Sequence, residues 1–228
     1  MINKRLDDPT FLKLKALLFL LALVPLVRLV FDGLTHNLGA NPIEKITHVT
    51  GYWTLMLLMV ALSVTPLRKI TGWLWLVRLR RMVGLYAFFY ACLHFLAYLV
   101  LDQFFDWGNI AKDIIKRPYI TVGFVAFLLL VPLAVTSTNR MMKRLGGKRW
   151  QRLQRLIYLI AVGGVVHYAW LVKKDLTNPL MFALVLAVLL GLRVVYGWRG
   201  QRMARPSLHP PDAIPGDGQH QHAGRKRD

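Results

Sequence analysis

The chain has 228 residues, 55% of them hydrophobic, with a formal net charge of +19. Apolar runs of seventeen to twenty residues without a charge exclude a soluble globule and predict one integral membrane domain. The basic residues gather in the connections between those runs, a topology signal that excludes nucleic acid as the partner and leaves membrane lipid.

In chain order, residues 1–11 form a short lead of mixed charge. Hydropathy then predicts six spanning helices, near 12–31, 47–66, 82–101, 119–137, 153–172 and 179–198. The first has the look of a signal peptide, but no small-x-small cleavage site follows it and further spans do, so it reads as an uncleaved helix. Pro25 and Pro132 fall inside spans and predict kinks, whereas Pro42, Pro66, Pro118 and Pro179 mark entrances or exits.

Connections 67–81 and 138–155 carry five and seven Lys or Arg and no acid, while 32–46, 102–118 and 173–178 carry one, three and two beside six acids. By the positive-inside rule both termini lie in the cytoplasm. All seven tryptophans fall near the expected interfaces, where indole is favoured. Residues 199–228, rich in Arg, Pro, Gly, His and Gln, read as a disordered cytoplasmic tail. The single cysteine, Cys92, excludes an internal disulfide and any two-cysteine metal motif. The fold class expected is all-α: a six-transmembrane-helix bundle over 12–198.

Two of these spans carry a histidine well inside an uncharged run. His94 lies in Met82–Leu101 and His167 in Leu156–Val172, both free of charged residues. An imidazole inside a membrane is costly unless it faces the protein interior and finds a partner. At helical rise both lie about 20 Å beyond the basic ends of their spans, so the two rings sit at nearly one level toward the outer face. Neutral imidazole is a good iron ligand, and an axial pair on facing helices is how a bundle holds a b-type haem. Ala91, Gly163 and Gly164 share the faces of these histidines one turn away and leave room for a flat macrocycle. The residues also accommodate the plainer reading, helix packing through small side chains with each histidine bonded to a neighbour.

Several stretches together resemble one family: LGANPIEKITHVTGYW, VRLRRMVGLYAFFYACLHF, IIKRPYITVGF, TSTNRMMKRLGGKRWQRLQRLIYL and HYAWLVKKD. Their order and spacing over roughly 10–200 are similar to MsrQ, formerly YedZ. This is the haem-binding membrane subunit family of bacterial protein-methionine-sulfoxide reductase systems, within the ferric-reductase-like transmembrane group. The resemblance implies an electron conduit in the bacterial inner membrane. Electrons would come from the quinone pool or a cytosolic flavin reductase, pass through haem b, with FMN as a second cofactor, and reach a periplasmic molybdopterin-containing reductase of the MsrP type. That partner repairs oxidised methionines. The ligands implied are His94 and His167, in LHF and VHY.

Relatives carry a further histidine where this chain has Gln154, a poor iron ligand, so a second inner haem held by two histidines is not expected. Arg149, Arg152 and Gln154, among the twelve cations of the two basic connections, are candidates for an inner flavin-phosphate or quinone site. His48 is a candidate for quinone binding or electron exit, and also for a plain interfacial role. No GxGxxG motif follows a strand, so the electron donor and the final reductase are separate proteins. The competing functions are a transmembrane ferric or cupric reductase, and a transporter or scaffold with structural histidines.

Overall fold

The computed structural model describes residues 8–172 and 175–203. Among them every regular element is helical: α1 (Asp8–Leu34), α2 (Pro42–Thr71), α3 (Leu76–Leu96), α4 (Trp107–Lys116), α5 (Pro118–Val135), α6 (Asn139–Leu145), α7 (Gly147–Gln154), α8 (Leu156–Leu171) and α9 (Thr177–Met203). A π-helical turn over Ala97–Asp102 continues α3 without a break. The chain divides into two units, 1–193, which holds the bundle, and 194–228.

Five helices are long and apolar enough to cross a membrane: Pro9–Leu34, Pro42–Thr71, Leu76–Asp102, Pro118–Val135 and Thr177–Tyr196. They coincide with five of the six expected spans. The remaining one is α8, whose sixteen residues rise about 24 Å. It is shorter than expected because the helix breaks at Arg155, where 3₁₀-type bonds join α7 to α8. Large apolar side chains stand exposed along α1 and α9, among them Leu20 (61%), Val27 (64%), Leu180 (63%) and Leu184 (66%). Such surface is tolerable only against lipid.

Three expectations are corrected. The connections 102–118 and 138–155 contain helix: α4 in the first, α6 and α7 in the second. Asp106 accepts the Asn109 amide at 3.0 Å to start α4, and Thr138 accepts the Met141 amide at 3.3 Å to start α6. Pro66 does not close its span, since α2 continues to Thr71. Proline at that position deprives the Leu62 carbonyl of its helical donor, and Arg193 Nη2 of α9 supplies one at 2.6 Å. Finally, α9 runs on through Met203, past the expected start of the tail at 199; residues 204–228 lie outside those described.

Pro25 lies within α1 as expected. The Tyr90 hydroxyl of α3 enters the loosened turn there, donating to the Ala22 carbonyl at 2.7 Å and meeting the Leu26 backbone. One buried phenol thus repairs the turn and fixes α1 on α3. At the far end of α1, Lys45 Nζ bonds Asp32 and the Asn37 carbonyl, each at 2.9 Å, and Asn41 caps α2. The core between α2, α3, α5 and α8 is built from Leu58, Leu62, Ala87, Tyr90, Ile160 and Ala161, which are essentially removed from solvent.

Candidate functional site

The site is built by four helices, two that carry histidines and two that hold them. α2 pairs with α3, and α5 pairs with α8. His94 on α3 reaches the first turns of α2, where its Nδ1 lies 2.9 Å from the Thr47 carbonyl. His167 on α8 reaches the first turn of α5, where its Nδ1 lies 2.7 Å from the Tyr119 carbonyl. A carbonyl only accepts, so each Nδ1 carries the proton and each Nε2 keeps a bare lone pair. This is the tautomer that ligates a metal through Nε2, with the other ring nitrogen oriented by a backbone oxygen.

The two rings face each other. Their centroids are 6.1 Å apart and their planes stand at 80°. Both are half-buried.

What lets them reach backbone carbonyls is a pair of glycines. A Cβ on Gly51 would lie 3.0 Å from two atoms of the His94 ring, and a Cβ on Gly123 would lie 2.7 Å from Nδ1 and 2.8 Å from Cε1 of His167. Each glycine stands four residues after the accepting carbonyl, Thr47 to Gly51 and Tyr119 to Gly123, and so lies one turn above it on the same helix face. The same device is built twice. Reading the sequence alone missed both glycines, although a glycine four residues into an apolar helix marks a close approach.

The other candidate residues fall in four places. Ala91 is buried in the core one turn before His94. Gly163 faces Ala126 and Val122 of α5 at ordinary contact distances, and Gly164 faces Leu55 of α2. These two glycines therefore bring α8 close to its neighbours. His48 is exposed on α2, three residues before Gly51.

At the opposite end, Arg149 and Arg152 are exposed on α7, while Gln154 Nε2 donates to the Leu133 carbonyl of α5 at 3.2 Å. Trp150 Nε1 donates to the Thr136 carbonyl at 3.1 Å. Gln154 and Trp150 thus serve the open carbonyls at the end of α5, a docking role that composition does not reveal. Arg152 and Gln154, two residues apart, point to opposite sides of their helix.

A family model described as "Ferric reductase like transmembrane component" matches residues 49–165, which include Gly51, His94 and Gly123. The chain is 55% identical over 195 residues to "Protein-methionine-sulfoxide reductase heme-binding subunit MsrQ" of Herminiimonas arsenicoxydans, covering 85% of this chain and 89% of that one. It is 52% identical to the protein of that description from Ralstonia nicotianae, covering 89% and 94%. Against the one from Rhodospirillum rubrum it is 55% identical, covering 82% and 90%. The chain belongs to the MsrQ family.

The resemblance drawn from the five sequence stretches is therefore correct, and the relatives that show it are named haem-binding subunits of a protein-methionine-sulfoxide reductase. Its residues fit that cofactor on geometry alone. Two metal–nitrogen bonds of about 2 Å and half a ring on either side set imidazole centres roughly 6 Å apart, and the separation here is 6.1 Å. A pair of histidines bonded only for packing has no need of this separation.

Proposed function

We propose that His94 and His167 are the axial ligands of one b-type haem, and that the chain relays electrons across the bacterial inner membrane. The observation that carries this reading is the facing ring pair at 6.1 Å with both Nδ1 positions held by carbonyls. When bound, the haem iron takes up and releases one electron at a time without making a bond to a substrate. The chain's own residues hold the rings. Thr47 and Tyr119 fix the tautomer and make each imidazole a stronger donor, Gly51 and Gly123 give the rings room, and the apolar walls keep water from the iron.

With both termini in the cytoplasm, as the distribution of Lys and Arg argues, the pair lies toward the periplasm. Electrons then enter from the quinone pool or a cytosolic flavin reductase, with FMN on the inner side. They leave to a reductase partner, as the names of the relatives support; that it is a periplasmic molybdopterin-containing protein of the MsrP type is what the family resemblance implies. His48, exposed on α2 three residues before Gly51, is a candidate for quinone binding or electron exit. Gln154 is already engaged by Leu133, which favours a single histidine-ligated haem.

The test is a cofactor inventory of purified chain beside His94→Ala and His167→Ala. Loss of the haem absorption in each variant, with membrane insertion retained, is expected. A full bis-histidine spectrum in either one refutes the assignment. A second reading, reduction of external ferric or cupric ions, draws on the name of the matching family model. Turnover of metal ions without any periplasmic reductase would favour it.

A further inference from the structure

We propose that Arg80 and Arg193 form a binding site for a phosphate group, at the end of the bundle remote from the histidines and between α2, α3, α8 and α9. Fourteen residues of α3 separate Arg80 from His94, about 21 Å along the helix. This is a different place from the haem site, and the inference does not depend on it.

Arg193 is anchored from three sides. Its Nη2 donates to the Leu62 carbonyl at 2.6 Å, its Nη1 donates to the Tyr158 hydroxyl, and its guanidinium lies 4.8 Å from the centre of the Tyr158 ring. Its Nε is buried and, among the described residues, has no partner. Among the same residues Arg80 is held by one long hydrogen bond, 3.5 Å from Nη1 to the Thr65 hydroxyl. Leu62 and Thr65 are three residues apart on α2, so the two guanidinium groups hang from one face of that helix a turn apart. They are close enough for each to feel the other's charge.

Among the described residues neither arginine has a carboxylate partner. Satisfying the carbonyl freed by Pro66 explains one neutral donor at this spot. It does not explain two cations side by side in the end of a membrane bundle, where like charges repel and burial is costly. An anion between them resolves both problems. The donors are planar forks with unused N–H groups, beside a phenol and a threonine hydroxyl, and forks of this kind match a tetrahedral oxyanion with several oxygens. The phosphate has two possible sources, a soluble phosphomonoester such as a flavin mononucleotide or the headgroup of an anionic phospholipid.

The experiment uses full-length chain purified in neutral detergent, with four probes: FMN, riboflavin, phosphatidylglycerol and diacylglycerol. Binding is read by native mass spectrometry and by the shift in thermal unfolding. FMN held well above riboflavin identifies a soluble phosphomonoester, and phosphatidylglycerol held well above diacylglycerol identifies a headgroup; either supports the site. Arg80→Gln and Arg193→Gln, each keeping an amide donor, are expected to weaken the favoured probe roughly tenfold or more. Arg80→Lys, which keeps the charge without the fork, should fall between. Should Arg193→Gln not fold, Arg80→Gln and Tyr158→Phe carry the test, since the Leu62 carbonyl keeps its donor in both. No preference for either phosphate probe over its uncharged counterpart, or binding unchanged in Arg80→Gln, overturns the proposal.

Discussion

At the scale of single residues, the site turns on how two imidazoles are held. His94 and His167 each give their Nδ1 proton to a carbonyl in the opening turns of a neighbouring helix, and this leaves nothing at Nε2 but a lone pair. A glycine series separates that role from ordinary packing. Gly123→Ala places a methyl 2.7 Å from a ring already anchored at Tyr119, so it is expected to cost about 1–3 kcal/mol and to displace most of the haem. Gly51→Ala, at 3.0 Å, should shift the spectrum with a smaller loss, and Gly163→Ala, at 3.5 Å from Ala126, should change neither. Haem absorption per chain measures all three. Equal effects across the series would show that the cradles do not position the rings. The near-perpendicular planes, 80° apart, give a further expectation. Electron paramagnetic resonance of the ferric protein should show one strongly anisotropic low-spin signal rather than the rhombic spectrum of parallel rings.

At the scale of elements, two of the helices that contain proline are tied at that point to another helix. Tyr90 closes the turn loosened by Pro25, and Arg193 caps the carbonyl freed by Pro66. The second repair is open to a double-mutant cycle. Arg193→Leu alone leaves a buried acceptor without a donor and should cost about 1–3 kcal/mol of stability. In a Pro66→Ala background, which returns an amide hydrogen to Leu62, the same change should cost distinctly less. Thermal unfolding of detergent-solubilised protein reads the difference, and strict additivity would remove the repair. On α7, Trp150→Phe loses one bond to the Thr136 carbonyl. About 1 kcal/mol of destabilisation is expected, together with faster proteolysis of the α6–α7 segment.

At the scale of the whole molecule, orientation is carried by charge. The twelve cations of 67–81 and 138–155 lie on the last turn of α2, the entry of α3, α6, α7 and their flanks, and no acid stands among them. Reporter fusions after residues 72 and 146 should therefore be active in the cytoplasm, and one after residue 105 in the periplasm. The reverse pattern would put the histidine pair on the cytoplasmic side and exclude a periplasmic electron acceptor.

The sequence by itself determined the long apolar helices, since such uncharged runs have no other stable form in lipid, whereas the short helices α4, α6 and α7 lie outside those runs. It also singled out two histidines as candidates, because an intramembrane imidazole stands out against that background. Tertiary structure decided what holds them. The carbonyls of Thr47 and Tyr119, the cradles at Gly51 and Gly123, and the pairing of Arg80 with Arg193 each join residues more than forty positions apart. Backbone oxygens are the same at every residue, so nothing in the order of side chains says which of them a ring will find until the helices have packed.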